Sequence, residues 1–171
     1  MATSTTLTEP EFWLRGPIEG ISPFLQPAAH ALLQSNMELQ HYTANFPDHL
    51  LWERPSGCAS VGFHIQHLTG VLDRIMTYAR GKSLTEQQFQ FLKQEGESNP
   101  DLTVSILVKN FHDKVEEAID LFKSLPESEL TQAREVGRKK LPSTVLGLLT
   151  HAAEHSQRHI GQMLVTIRVL E

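Results

Sequence analysis

The stretch that most constrains the fold is the closing run from Ser143 to Leu170. Apolar residues recur there at helical spacing and no proline interrupts them. Such a run predicts one long helix, capped at its start by Ser143. Set into it are His151, His155 and His159, three of the chain's nine histidines. Residues four apart on a helix lie about 40° apart around the axis and roughly 6 Å apart along it. The three therefore form a nearly straight row on one face. Neighbours in the row can grip one metal ion, but the outer pair, about 12 Å apart in rise, cannot do so without the middle member. One helix conveniently offers two imidazoles, and a third ligand must come from another element.

A second pair, His64 and His67, opens another helix-like run that begins after Ser60, a good N-cap, and stops at Gly81. Phe63, His67, Leu68, Val71, Leu72, Ile75 and Tyr78 fall mostly on one side of it. His67 lies in this apolar stripe and His64 toward its edge. A buried histidine needs a partner; a backbone carbonyl would serve, and so would a metal. Imidazole suits zinc, nickel, copper and iron. Three protein ligands with one position left open is the pattern of a catalytic site.

Two further helical runs are expected. One extends from Ser22 or Pro23 to about Asn45, with Pro27 in its first turns and Phe24, Leu25, Ala28, Leu32, Leu39, Tyr42 and Phe46 apolar. The other covers about Leu102 to Leu125, with Ile106, Leu107, Phe111, Val115, Ala118, Ile119 and Phe122 as its core stripe. His30 and His41 read as polar-face residues and His112 as a surface one. Residues 1–22 hold too much proline and glycine for a long helix, yet Trp13, Leu14 and Ile18 could pack this arm on the body. The connection from Pro47 to Ala59 is pinned by Leu50, Leu51 and Trp52. Thr85 to Glu95 reads as a short helix or ordered crossover, and Glu127 to Pro142 as a polar loop. Four long helices and no convincing strand indicate an all-α bundle in one domain. Phe63, Leu68, Leu72, Phe111, Ile119, Leu149 and Leu164 are expected in its core.

The net charge of −5, with no basic run beyond Arg138-Lys139-Lys140, argues against nucleic acid or an anionic membrane as partner. No stretch approaches the ~20 apolar residues of a membrane span, and the first residues lack the basic and apolar regions of a signal peptide. Cys58 is the only cysteine, which excludes an intrachain disulfide and an all-cysteine metal site. It precedes a helix N-terminus, where a thiolate is favoured, but a small residue in a packed loop is the simpler reading. A cytoplasmic protein is expected.

The segment from Ser60 through His67-Leu68, followed by His155-Ser156-Gln157-Arg158-His159-Ile160-Gly161-Gln162, resembles the DinB/YfiT-like superfamily of metalloenzymes. The resemblance covers roughly residues 23–171. It implies a four-helix bundle in up-down-down-up order, with residues 1–22 as an irregular arm, and frequent homodimers. It also implies a three-histidine metal site made by His67, His155 and His159, with His64 and His151 outside it. The implied ion is divalent, zinc or nickel foremost and iron or manganese otherwise, with a low-molecular-weight thiol as a further cofactor in some branches. The function expected on this basis is a metal-dependent enzyme, a thiol-dependent S-transferase or a hydrolase acting on a small molecule, in which the ion activates a thiol or water. Gln162, Glu154 and His64 are candidates for orienting the ligands, and Gly161 for the close approach of another helix. The alternative is a non-catalytic metal-binding or dimerising stress-related bundle.

Overall fold

The computed structural model describes residues 9–171. Five helices and one hairpin account for most of them: α1 (Gln26–Thr43), α2 (Val61–Ala79), α3 (Glu86–Gln94), α4 (Val104–Ser124), β1 (Ala133–Val136), β2 (Leu141–Thr144) and α5 (Val145–Leu170). The starts follow side-chain caps. The Ser60 hydroxyl accepts from the Phe63 N–H, Thr85 and Gln88 form a capping box, and Thr103 accepts from the Ile106 N–H. α5 is capped by Thr144, which accepts from the Gly147 N–H, and not by Ser143, which lies in β2. Gly81, at φ +69°, supplies the left-handed turn that ends α2.

The long helices α1, α2, α4 and α5 form the bundle. Gln157 of α5 donates to the Ala31 carbonyl and Ser35 hydroxyl of α1, while His41 and Tyr42 line a cleft with Leu164 and Arg168 further along both helices. The two helices therefore run parallel. Against α5, α2 runs the other way, because His64 meets His159 and His67 meets His155. Against α1, α4 also runs the other way: Asn36 bonds His112, whereas Thr43 and Ala44 lie beside Val104 and Val108. The order is up-down-down-up, so α1 lies diagonally across from α2, and α4 from α5. Because α2 and α4 are parallel neighbours, their connection must return along the bundle, and α3 lies within that return.

The core is continuous. Leu25 just before α1, Leu32 and Leu39 of α1, Ile65, Leu68 and Leu72 of α2, Phe111, Val115 and Phe122 of α4, and Leu149 and Met163 of α5 are fully buried or nearly so. Burying each large side chain contributes roughly 1.5–3 kcal/mol before the entropy of ordering is set against it. Of the expected core residues, Leu68, Leu72, Phe111, Ile119 and Leu149 are buried, while Phe63 and Leu164 are half-buried. Ile106 and Phe24 point outward despite their places in apolar stripes. Each sits at the first turn of a helix or before it, where fewer neighbours surround the chain.

Two segments differ from the sequence reading in kind. Glu127 to Pro142 is not all loop: it carries the antiparallel hairpin, with Ala133 opposite Thr144 and Val136 opposite Leu141. Gly137 (φ +69°) and Lys140 (φ +50°) turn the chain between its strands. The Arg134 guanidinium donates to the Ala79 carbonyl and so fastens the hairpin to the end of α2. Residues 1–8 of the expected arm lie outside the described residues, and the described part, residues 9–22, is held by polar contacts as much as by apolar ones. Gln26 accepts from the Ile18 N–H and donates to the Ile18 and Ile21 carbonyls, Gln34 accepts from the Phe12 N–H, and His30 bonds the Gly16 carbonyl. Ile18 and Ile21 reach the core, but Trp13 and Leu14 are exposed. The pinned connection behaves as expected: Leu51 is fully buried and the Trp52 ring covers Gly62 so closely that no Cβ would fit there.

Candidate metal centre

The helical register of α5 puts His155 and His159 on the side facing α2, and α2 brings His67 to meet them. One ring nitrogen from each of His67, His155 and His159 lies within 4.8 Å of the other two. The Nε2 atoms of His67 and His155 are 3.0 Å apart. The rings of His67 and His159 are 4.6 Å apart between centroids, and those of His155 and His159 4.5 Å. Phe63 stacks on His67 at 5.1 Å, nearly parallel, one turn earlier on α2. Its half-burial is explained by that position at the edge of the site.

The residue the sequence reading missed is Glu95. It follows α3, and its carboxylate accepts from His67 Nδ1 at 2.7 Å and from the Arg74 guanidinium at 2.6 Å. Its side chain is only 4% exposed. This close approach depends on Gly70: a Cβ there would lie 2.3 Å from a Glu95 oxygen and 2.7 Å from Phe91. Gln66 fixes the next turn by accepting from the Gly96 N–H. The sequence carried only half of a signal, on α2, and none that pointed to Glu95. His67, Gly70 and Arg74 fall at i, i+3 and i+7 on one face, and a buried arginine there requires a carboxylate from some other element.

Glu95 fixes the tautomer of His67. Its carboxylate accepts, so a proton of His67 sits on Nδ1 and Nε2 is the ring nitrogen turned toward His155. The Nδ1 atom of His155 is buried with no hydrogen-bond partner among the described residues. Burial, together with the neighbouring His159 and His67, lowers the pKa of His155 to about 4. Burial, then His67 and Arg158, lower that of His159 to about 4, against a smaller opposing effect of Glu95. Rings that stay neutral at pH 7 are the form that binds a metal. Nitrogens held at about 2.0–2.1 Å from one ion are roughly 3–3.4 Å apart, so the Nε2 pair fits a shared ion without rearrangement.

The other histidines and candidates fall as follows. His64 is not at the stripe edge: it is 3% exposed and its Nδ1 lies 3.0 Å from Nδ1 of His159. His151 is exposed and bonds Glu154, which also accepts from Arg158. Glu154 thus faces solvent and does not orient the three rings. His151, Glu154 and His155 could also gather round a cation, but Arg158 already neutralises that carboxylate. Gln162 is exposed and borders a cleft beside His64, and Gly161 has nothing within 4 Å of a notional Cβ, so no helix among the described residues approaches it. His112 is half-buried and bonded to Asn36 rather than free on the surface. Cys58 is exposed, not packed in its loop. No helix among the described residues is long and apolar enough to cross a membrane.

Two clefts flank Ala59 at this end of the bundle. One, of about 280 Å³, is bordered by Arg54, Ser60, Phe63, Glu95 and Glu97. The other, of about 370 Å³, is bordered by Cys58, His64, Gln162, Val165 and Thr166.

Comparison with solved structures supports the same architecture. A protein from Streptococcus pneumoniae is similar over 87% of this chain and 90% of its own, with TM-score 0.64 and 12% identity. YfiT from Bacillus subtilis, a probable metal-dependent hydrolase with an unusual four-helix bundle topology, is similar over 91% of this chain and 93% of its own, with TM-score 0.59 and 17% identity. At these identities the likeness shows the fold alone. No curated protein matches the sequence. The family model of the DinB superfamily, however, matches residues 31–163, which hold all three converging histidines and the carboxylate behind them, and the chain belongs to that superfamily.

Proposed function

We propose that the protein is a metal-dependent enzyme in which His67, His155 and His159 hold one divalent ion, zinc or nickel foremost. The observation that carries this reading is the convergence of three imidazoles, two of them kept neutral by burial, on a point backed by a buried carboxylate. A divalent ion held there would supply Lewis acidity and lower the pKa of a thiol or water beside it. The residues of the chain do the rest. Glu95 keeps the His67 proton on Nδ1, and Arg74 keeps Glu95 in place. Phe63 lies flat on His67 and shields that ring from solvent.

The reaction class proposed is hydrolysis or thiol-dependent S-transfer on a small molecule. The first is favoured by the likeness to YfiT, the second by family resemblance. The two clefts reach neighbours of the three histidines, His64 in one and Phe63 and Glu95 in the other, and such openings favour an enzyme over a non-catalytic scaffold. A homodimer in the cytoplasm is part of the same proposal. The outward face of α5, where Gly161 is open and Val165 and Val169 are more than 60% exposed, is the surface offered for the contact. Metal analysis of natively purified protein tests the reading, followed by hydrolase and thiol-transfer screens on the loaded form. One ion per chain, lost in His155→Ala and His159→Ala but kept in His151→Ala, is expected. Retention of the ion in His155→Ala would reject the site.

A further inference from the structure

His64 is the most buried of the five histidines near the site, yet it is not one of the three that converge. Its Nδ1 touches Nδ1 of His159 at 3.0 Å. Its ring also borders the 370 Å³ cleft with Cys58, Gln162 and Thr166. We infer that His64 is a positioning residue that fixes the ring of His159 from behind and turns its own N–H into this cleft. The inference rests on the metal reading above and deepens it.

The tautomers follow from the contacts. If His159 is to offer a lone pair to an ion, it must do so from Nε2, because Nδ1 is taken by His64. Its proton then sits on Nδ1 and is donated to His64 Nδ1. A neutral His64 that accepts at Nδ1 carries its own proton on Nε2. Two of the three ring ligands thus have a fixed partner behind them: a carboxylate for His67 and an imidazole for His159. The imidazole is the only one of these two partners that also borders the cleft of Cys58. A small molecule bound there with an acceptor group toward α2 would meet the Nε2–H of His64. Packing alone offers a different account, in which His64 merely fills space between α2 and α5.

Substitutions separate the two accounts. In His64→Asn the side-chain amide oxygen can stand where imidazole Nδ1 stands, whereas in His64→Leu the new side chain fills the volume without an acceptor. Zinc affinity should fall by about 10–100-fold in His64→Ala and His64→Leu, as for loss of other groups that orient metal ligands, and should stay within a few-fold of wild type in His64→Asn. Circular dichroism and thermal melting of each variant report folding separately. Long-range ¹H–¹⁵N spectra of the zinc-loaded wild type should show the proton of His159 on Nδ1 and that of His64 on Nε2. Wild-type zinc affinity in His64→Leu, or an Nδ1–H tautomer of His64 in the loaded protein, would overturn the assignment while leaving the three-histidine site standing. A wild-type protein that binds no zinc or nickel would overturn both.

Discussion

At the scale of the residue, the cluster couples stability to pH. His64, His155 and His159 have folded pKa values of about 4, with burial the leading cause in each. The unfolded chain takes up these protons near pH 6.5. Between the two values the unfolded state binds more protons, so stability rises with pH. For metal-free protein the contribution is present in full above about pH 6.5 and is lost as pH falls toward 4. The urea midpoint should therefore drop between about pH 6.5 and 5, above the main carboxylate range; a flat midpoint there would contradict the neutral cluster. Glu95 gives a second residue-scale test. Removing one partner of a buried ion pair strands the other charge, at a cost of about 3–5 kcal/mol. Glu95→Ala should destabilise the metal-free protein by that order, since Arg74 is left buried, and Glu95→Leu with Arg74→Leu should recover most of it.

At the scale of the element, two helical glycines should respond in opposite directions to alanine. Alanine exceeds glycine in helix propensity by about 1 kcal/mol. At Gly161, where nothing lies within 4 Å of the added Cβ, Gly161→Ala should stabilise a monomer by up to that amount. At Gly70 the new methyl group meets the Glu95 carboxylate, Arg74 and Phe91, all under 3 Å. There the steric cost wins, α3 is displaced, and both thermal stability and metal affinity should fall. Equal shifts in melting temperature for the two variants would mean that α3 does not pack on α2 as described. Thr144→Ala removes the cap of α5 and should cost about 1 kcal/mol, whereas Ser143→Ala should cost much less.

At the scale of the whole molecule, the bundle order itself builds the proposed site. In an up-down-up-down bundle every successive pair of helices is adjacent. Here α1 and α5, the first and last long helices, are parallel neighbours, and α2 meets α5 in antiparallel register. Ligands from opposite parts of the sequence thus meet only in the folded state, so an ion that binds there stabilises the fold by mass action, by about 2.7 kcal/mol at free metal 100-fold above Kd. Chelator treatment of loaded protein should lower the melting temperature, and His155→Ala should abolish that difference. Sedimentation velocity tests the proposed dimer: twice the 19.3 kDa chain mass is expected at micromolar concentration. A charged residue at Val165 should return the protein to the monomer.

The sequence by itself determined the helices and half of the site. Most helix limits were legible because caps and glycines act locally, as at Ser60 and Gly81, although the cap of α5 proved to be Thr144 and not Ser143. The pairing of His155 with His159 was legible for the same reason, since four residues on a helix make a fixed geometry. The hairpin was not legible, because its strands are short and polar and are held to each other and, through Arg134 of β1, to the end of α2. Glu95 was not legible either: a carboxylate 28 residues from His67 along the chain acquires its partner only through the return of α3. Local pattern ranked His67 above His64 on the apolar stripe of α2, but it did not show that His64 is buried as well and meets His159. Only the tertiary structure decided that His67 meets His155 while His64 stands behind His159, since that depends on how far α5 slides along α2 and not on the period of either helix.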